Sequence, residues 1–427
     1  MESVILVGDL NTYHLIIIFS ATIIISYFFN IYSKKSGIPA VLMLIAFGVV
    51  ISGGLSLFKV AVPDLSGVLE VLGIVGLILI VLEAALDLKL LKEKIGIIIK
   101  SLFVSIIGLG LTSYISAYLL SYFIVDLDFV NALLYSIPLS ILSSAIILPS
   151  IDSLEENKRE FMIYESTFSD IVGIIGFYAI VNMIDSQSSE SILPDTFKSL
   201  LFTIVLSVII SYVLIYIFQN LKGHAKLFLL IAVLLLLYSI GKMFHLSSLI
   251  IIMIFGVILN NYKLFFRGVL NDFIIEEKVG EILSNFKVIT MESAFVVRTF
   301  FFIIFGWTIS LGDLLSFRVL FYGLILLVVI YFVRMLVLFV FNGTFRILKV
   351  SPELFLAPRG LITILLFFSI PESAKSSFNF DGVLLFVILT TCLVMTWSLI
   401  SEKKKLEAHE EEDFEILETE ETSEEEM

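Results

Sequence analysis

Thirteen apolar segments follow one another along the chain, with short polar stretches between them. A helix that crosses a bilayer needs about 20 apolar residues, whereas the strands of a membrane barrel alternate over segments of roughly ten. The segments here are unbroken, so the pattern predicts an all-α polytopic membrane protein with about 13 transmembrane helices. The predicted spans are His14–Tyr32, Ile38–Ser56, Val68–Leu88, Ile95–Val125, Phe129–Ile151, Glu160–Ile184, Thr196–Leu221, Ala225–Phe244, Leu246–Asn260, Ala294–Leu311, Phe317–Phe341, Glu353–Ile370 and Val383–Ile400.

An odd number of spans permits an internal symmetry. The first six and the last six spans would then have opposite orientations around a linker, which is the inverted six-helix repeat of many secondary transporters. The fifth span of each half contains helix breakers, Pro138 and Pro149 in the first and Pro358 and Gly360 in the second. Such breaks interrupt the backbone hydrogen bonds and are tolerated where they line a cavity. The sequence therefore predicts discontinuous helices 5 and 12 beside a binding site.

The composition agrees with this class, because 59% of the residues are hydrophobic and only 16% are charged, against about 25% charged in soluble domains. The net charge of −13 belongs mainly to the end of the chain, where 13 acidic residues and three lysines lie between Ser401 and Met427. A charge block of this kind predicts a disordered tail over residues 401–427. Alternating charged and apolar residues over Asn271–Thr290 predict an interfacial connector.

Other kinds of chemistry find little support in the residues. The one cysteine, Cys392, lies in an apolar run, and the four histidines lack the spacing of metal ligands. No HExxH motif, aspartate pair or Ser/His arrangement favours a membrane-embedded enzyme. No filter repeat or symmetric ring of charges favours a channel. We expect a transporter embedded in membrane lipid, with no cofactor and no nucleic-acid partner.

Loop charges predict the orientation in the membrane. Basic clusters fall at successive exits on one side, and the opposite loops are acidic or neutral. Basic loops stay in the cytoplasm, so we expect an inner-membrane protein with its N-terminus outside and its C-terminal tail in the cytoplasm. The basic clusters lie at Lys34 and Lys35, Lys89 to Lys94, Asn157 to Arg159, Leu221 to Lys226 and Lys403 to Lys405.

Among the charged residues of the predicted spans, six are candidates for the membrane interior, where a charge costs about 2.5–3.5 kcal/mol at the bilayer centre and is a functional hypothesis by default. Three acids and three bases could also neutralise one another in structural pairs. The six residues are Glu83, Glu165, Asp170, Arg298, Arg334 and Arg359.

The stretch YESTFSDIVG in the sixth span separates its two acids. At about 100° per residue, Glu165 and Asp170 point roughly 140° apart on a helix. Ser166, Asp170 and Gly173 share one face. Asp170 is therefore a candidate ligand of a transported ion, the alternative being a structural pair, and Glu165 is free to pair with an arginine.

A buried carboxylate suits ion exchange. Burial disfavours its charged form, so one group can hold either a proton or a monovalent cation but not both well. Competition for that group is a sufficient mechanism for antiport.

The sequence resembles the bacterial monovalent cation:proton antiporters of the sodium/proton exchanger superfamily. The stretch ESTFSD is similar to the family signature E-S-x-x-N-D. Six further stretches agree in order, and the match as a whole extends over nearly all of residues 37–400. They are GIPAVLMLIAFGVVISG, LGIVGLILIVLEAALDLKLL, LYSIGKMFHLSSLIIIMIFGVILNN, MESAFVVRTFFFIIFG, YFVRMLVLFVFNGTFR and APRGLITILLF.

The resemblance implies a role for each matching acid in ion binding. Asp170 would bind cation and proton alternately, with Ser166 as a neighbouring oxygen ligand. Glu83 would contribute from the dimerisation side of the cavity.

The remaining matched charges are implied to be structural. Glu165 would pair with Arg334, and Arg359 would offset helix ends and the charge of the ion site. Arg298 is matched without a clear role.

The resemblance also implies a homodimer and an elevator motion. Within a transmembrane region of residues 1–400, the scaffold would comprise about 10–90 and 225–312. The moving core would comprise about 95–185 and 317–400, and a linker helix about 196–221.

Two departures from the family pattern bear on the ion. Ser169 replaces the usual Asn before the key Asp, and the fifth span has SSAIILP in place of T-D-P. Ser143 and Ser144 thus offer hydroxyls and carbonyls in place of a second carboxylate. The missing second acid favours electroneutral one-for-one exchange of a cation for H⁺. The two departures do not select the cation, which we expect to be Na⁺ or Li⁺, with K⁺ as the alternative.

Overall fold

The structure of the protein, a computed structural model, describes residues 12–36, 38–57, 66–151, 154–185, 192–221, 226–243, 248–308, 316–343, 351–376, 378 and 380–425. These residues contain helices and no strand. The α-helices are α1 (Thr12–Ser36), α2 (Ala40–Leu57), α3 (Ser66–Asp87), α4 (Ile95–Phe123), α5 (Phe129–Ser140), α6 (Ser144–Ile147), α7 (Glu156–Asp185), α8 (Ile192–Asn220), α9 (Lys226–Met243), α10 (Ser248–Asn260), α11 (Tyr262–Phe265), α12 (Glu276–Thr308), α13 (Phe317–Asn342), α14 (Leu361–Phe368) and α15 (Asp381–Glu425).

The all-α membrane class predicted from the sequence is confirmed. Within the described ranges, eight helices are long and apolar enough to cross a membrane. Three shorter apolar helices, Ala40–Gly54, Lys226–Gly241 and Ser248–Asn260, coincide with other predicted spans. The count of 13 spans stays a prediction.

The helix α12 begins much earlier than the sequence predicts. It starts at Glu276 in place of Ala294, so the prediction of a separate interfacial connector was wrong for residues 276–290. Val279, Ile282 and Phe286 are buried, and this spacing of three and four is the apolar face of an amphipathic helix. What looked like irregular alternation is therefore the outer face of a continuous helix.

The acidic tail also differs from its prediction of disorder. The backbone of α15 is helical from Asp381 through Glu425. Glu, Lys, Leu and Ala are good helix formers, and a helix that is already nucleated adds further residues at little cost. The last span thus continues into the charged segment.

Helix packing falls mainly into two groups. α12 packs along α2 and α3, and α10 packs against α3 and α8, whereas α4 packs against α5, α7 and α13. Glycines bring the backbones of α2 and α12 together, since a Cβ atom on Gly306 would lie 2.3 Å from the Ile45 carbonyl oxygen. The site described below lies where the two groups meet.

Both predicted helix breaks are present. Pro138 stands in the last turn of α5, and residues 141–143 are non-helical before α6 begins. Residues 356–360 are likewise non-helical before α14. The two breaks touch, because the Ser143 N–H donates to the Pro358 carbonyl oxygen at 3.0 Å. A Cβ atom on Gly360 would lie 2.2 Å from Ser143 Oγ, so this contact requires glycine.

Candidate ion-binding site

Asp170 lies on α7 at the break between α5 and α6, and its side chain is buried. Its Oδ2 atom accepts hydrogen bonds from the Ser144 N–H at 3.3 Å and from the Ser144 hydroxyl. Ser144 is the first residue of α6, where backbone N–H groups have no helical partner and favour a nearby anion. The broken span thereby holds one oxygen of the carboxylate in place.

The second oxygen of Asp170 is different. Oδ1 is buried and has no hydrogen-bond partner among the described residues. Buried polar atoms nearly always have a partner, and leaving one unsatisfied costs about 1–3 kcal/mol. A proton or a cation at this atom would remove that cost. Chemically, the site is a carboxylate with one oxygen fixed and one oxygen ready for a ligand.

The two serines on α7, Ser166 and Ser169, form hydrogen bonds with backbone groups and not with the Asp170 carboxylate. Ser169 Oγ accepts a hydrogen bond from the Leu142 N–H at 2.9 Å, which satisfies a donor in the non-helical stretch. The Ser166 hydroxyl donates to the Met162 carbonyl within its own helix at 2.7 Å. Ser166 shares a helix face with Asp170, as its spacing predicts, while its proton is directed away.

Of the two serines that replace the usual acid, only Ser144 hydrogen-bonds Asp170 within the described part of the chain. Ser143 is buried and uses its N–H to join the two breaks. Its side chain packs against Gly360.

Glu165 forms an ion pair with Arg334 of α13. The contact is bidentate, with Arg334 Nη1 to Glu165 Oε1 at 2.7 Å and Nη2 to Oε2 at 3.1 Å. Arg334 also donates to the Glu353 carbonyl from Nε at 2.9 Å and from Nη2 at 2.7 Å. Both side chains are buried, so the pair joins α7 and α13 and satisfies a carbonyl before the second break.

Arg359 lies inside the second break and binds backbone carbonyls. Its Nε donates to the Leu139 carbonyl at the end of α5 at 2.6 Å, and Nη1 donates to the Ala357 carbonyl at 3.2 Å. The last carbonyls of a helix lack partners and carry partial negative charge. Arg359 therefore offsets a helix end. Thr391 of α15 accepts from its backbone N–H at 3.1 Å.

A cavity of about 320 Å³ lies beside this site. Ser144 is part of its lining, so Asp170 is one hydroxyl away from it. Glu83 and Asp87 of α3 and Arg298 of α12 line the facing wall. Glu83 Oε1 and Arg298 Nη2 are 3.3 Å apart.

The Glu83–Arg298 pair is the feature of the cavity that sequence reasoning missed. Each residue is a lone charge in an apolar run, and such a charge is expected to have a partner. Because 215 positions separate the two residues, the sequence does not show that they are partners. Two buried hydroxyls also went unnoticed, Ser136 on α5 and Thr363 on α14, and neither oxygen has a hydrogen-bond partner in the described ranges. Hydroxyls are common in such helices, so their sequence signal is weak.

Comparison with known families decides the class of protein. A profile of the family described as "Sodium/hydrogen exchanger, transmembrane" matches residues 18–401. The chain belongs to this family. The exchanger is therefore a multi-pass membrane transporter of the cation/proton antiport class, and it is not an enzyme.

The exchanger also resembles solved structures in fold. One is the sodium proton antiporter MjNhaP1 from Methanocaldococcus jannaschii at pH 8, with a TM-score of 0.68 and 20% identity, covering 90% of this chain and 96% of that chain. A second structure of the same antiporter, from electron microscopy, has a TM-score of 0.65 and 20% identity, covering 92% and 96%. At this identity the likeness establishes the fold. Among curated protein sequences, none matches the exchanger.

Proposed function

We propose that this exchanger carries Na⁺, and Li⁺ in the same way, in exchange for H⁺ through competition at Asp170. The observation that carries the proposal is the free Oδ1 atom of a carboxylate that is buried at the meeting point of two helix breaks. When Asp170 is protonated, the proton satisfies that oxygen and excludes a metal cation. When it is ionised, the nearby hydroxyl and backbone groups complete a set of oxygens for a hard cation.

The surrounding charges support electroneutral one-for-one exchange. Glu165 is paired with Arg334, and Glu83 is paired with Arg298. Asp170 has no ion pair within the described residues. Because Ser143 and Ser144 stand where a second acid would, one carboxylate is left to change its charge state during the cycle.

An elevator motion is the proposed route across the membrane. The core would be residues 95–185 and 317–400, and the scaffold residues 10–90 and 225–312. The cavity supports this division, since α1, α2, α3 and α12 form one wall and the α6 region forms the other. The scaffold would also form the contact of a homodimer, as in the antiporters that the sequence resembles.

The cavity is proposed to open to the cytoplasm. Pro39, Asp87 and Ser150 line it, and each lies beside one of the basic loops. Basic loops stay on the cytoplasmic side. The structure would then be an inward-open state in the inner membrane, with the N-terminus outside and the tail inside.

Exchange by liposomes containing the purified protein tests the proposal. Dissipation of a pH gradient is measured on addition of Na⁺, Li⁺ or K⁺, with and without an imposed voltage. We expect responses to Na⁺ and Li⁺ that do not depend on voltage. Asp170→Asn removes the titratable group with little change in shape and should abolish exchange, whereas the matched variant Asp272→Asn, at an exposed position, should be unaffected.

Three results would contradict the proposal. Full exchange by Asp170→Asn would refute the assignment of Asp170 as the binding site. A response to K⁺ alone would refute the assignment of Na⁺ and Li⁺ as the transported cations. A strong dependence on voltage would refute one-for-one exchange.

A further inference from the structure

The scaffold wall of the cavity carries charges of both signs that the exchange mechanism above does not use. Glu83 and Asp87 are one turn apart on α3, and Arg298 and Lys287 lie on α12. Arg298 contacts Glu83 at 3.3 Å, and Lys287 Nζ contacts Asp87 Oδ1 at 2.5 Å. Glu83, Asp87 and Arg298 therefore line the cavity, and Lys287 pairs with Asp87 from outside the lining.

The Glu83–Arg298 pair differs from the pair inside the core. Its side chains are 17% and 21% exposed, and one hydrogen bond joins them. The Glu165–Arg334 side chains are 2% and 8% exposed, and two hydrogen bonds join them. A pair that is joined by a single contact and lines a cavity of about 320 Å³ is adjustable. Both of its members border the space that the proposed transport path crosses.

Each member changes the potential in the cavity with opposite sign. Glu83 alone would attract and retain a cation near the wall, and Arg298 offsets that attraction. At a separation of about 10 Å and an intermediate dielectric constant, one unit charge changes cation affinity by roughly fourfold to tenfold. An effect of that size falls within the range of ordinary transport measurements.

We infer that Arg298 sets the apparent cation affinity of the exchanger by balancing the charge of Glu83 at the cavity wall. The balance lets a cation reach Asp170 and leave it without being held on the way. Arg298 is thus an affinity-determining residue of the scaffold, and the inference builds on the proposed function of Asp170.

The test measures KM and kcat for Na⁺ in liposomes, with the cation added on the cavity side. Arg298→Gln should lower KM by about fourfold to tenfold, and Glu83→Gln should raise it by a similar factor. The double variant should return near the wild-type KM. Arg298→Lys keeps the charge and should resemble wild type, and Arg318→Gln, at an exposed position on α13, is the matched control.

Opposite shifts in KM are the signature that a purely structural role does not produce. The inference is overturned if both single variants move KM in the same direction, if only kcat falls, or if the double variant is no closer to wild type than either single variant. Should Arg298→Gln fail to fold, the rise in Glu83→Gln and its reversal in the double variant decide the question. Exchange by Asp170→Asn is measured in a separate experiment. A wrong assignment of Asp170 can therefore be distinguished from a wrong assignment of Arg298.

Discussion

The two acids of α7 show how neighbouring residues of one type acquire different roles. Glu165 accepts two hydrogen bonds from a guanidinium, and its negative charge is compensated. Asp170 accepts from a serine hydroxyl and a backbone N–H, which leave one oxygen free. Their separation of five positions places the side chains on different faces of the helix. Glu165 links α7 to α13 through an ion pair, whereas Asp170 keeps one carboxylate oxygen without a hydrogen-bond partner among the described residues.

The buried pair leads to a prediction about stability. Arg334→Ala strands the Glu165 charge and should destabilise the fold by about 3–5 kcal/mol, seen as earlier thermal unfolding in detergent. Exchanging the two residues should restore only part of this, because the carbonyl of Glu353 would lose its two donors. Arg318→Ala, on the same helix but exposed, should leave unfolding unchanged. If the exchanged variant is no more stable than either single alanine variant, direct pairing contributes little.

Individual charges were easier to predict than their partners. An acid in a bilayer span demands compensation, and that rule singled out Glu83 and Glu165 from the sequence. Family resemblance supplied Arg334 as a partner, and the structure contains that contact. Nothing in the sequence indicated that α3 and α12 lie side by side, so Glu83 was assigned to the ion and Arg298 was placed among the structural charges without a named partner. Adjacency of distant helices is a property of packing and not of local pattern.

At the scale of the elements, the decisive feature is the contact between two interrupted helices. Their backbones touch at Ser143 and Pro358, and Arg359 binds the carbonyl end of α5. Each break exposes donors and acceptors that a continuous helix would use internally. Those groups hold Asp170 on one side and Arg359 on the other.

Close approach at this contact predicts a strong effect of one added methyl group. Gly360→Ala would place a carbon 2.2 Å from Ser143 Oγ, and overpacking of this kind costs about 1–3 kcal/mol. We expect a lower kcat as the breaks move apart, measured by Na⁺-dependent proton flux, with partial recovery when Ser143→Gly is added. Gly110→Ala, where the new atom meets open space, is the control. Wild-type exchange by Gly360→Ala would show that the contact tolerates displacement.

Helix boundaries were predictable where proline or glycine interrupts a helix. They were not predictable where a helix continues through charged residues. Both helix breaks were predicted from the sequence by helix-breaking residues, namely Pro138, Pro358 and Gly360. The start of α12 and the helical tail went unpredicted because charged residues were taken as the end of a helix. Glu and Lys are good helix formers, so charge marks the end of the membrane more reliably than the end of the helix.

At the scale of the whole molecule, two cavities lie toward opposite ends of the broken helices. The first, of about 320 Å³, adjoins α6 and the ends that carry basic loops. The second, of about 260 Å³, is lined by Tyr135, Ser376 and Asp381 near the start of α5 and α15. Ser144 borders only the first. The larger of these two cavities is therefore the one that adjoins the hydrogen-bond partner of Asp170, which is consistent with the inward-open state proposed above.

Thiol labelling can test that sidedness, since the chain has one cysteine. Cys392 is buried and donates to the Arg359 carbonyl, a contact that Cys392→Ser can keep. In that background, Asn30→Cys lines the first cavity and Ser376→Cys lines the second. A membrane-impermeant reagent should label Asn30→Cys faster in everted vesicles and Ser376→Cys faster in right-side-out vesicles. The reverse pattern would invert the proposed topology, because the basic loops would then lie outside, and equal labelling of Asn30→Cys from both faces would mean that this cavity is not confined to one side.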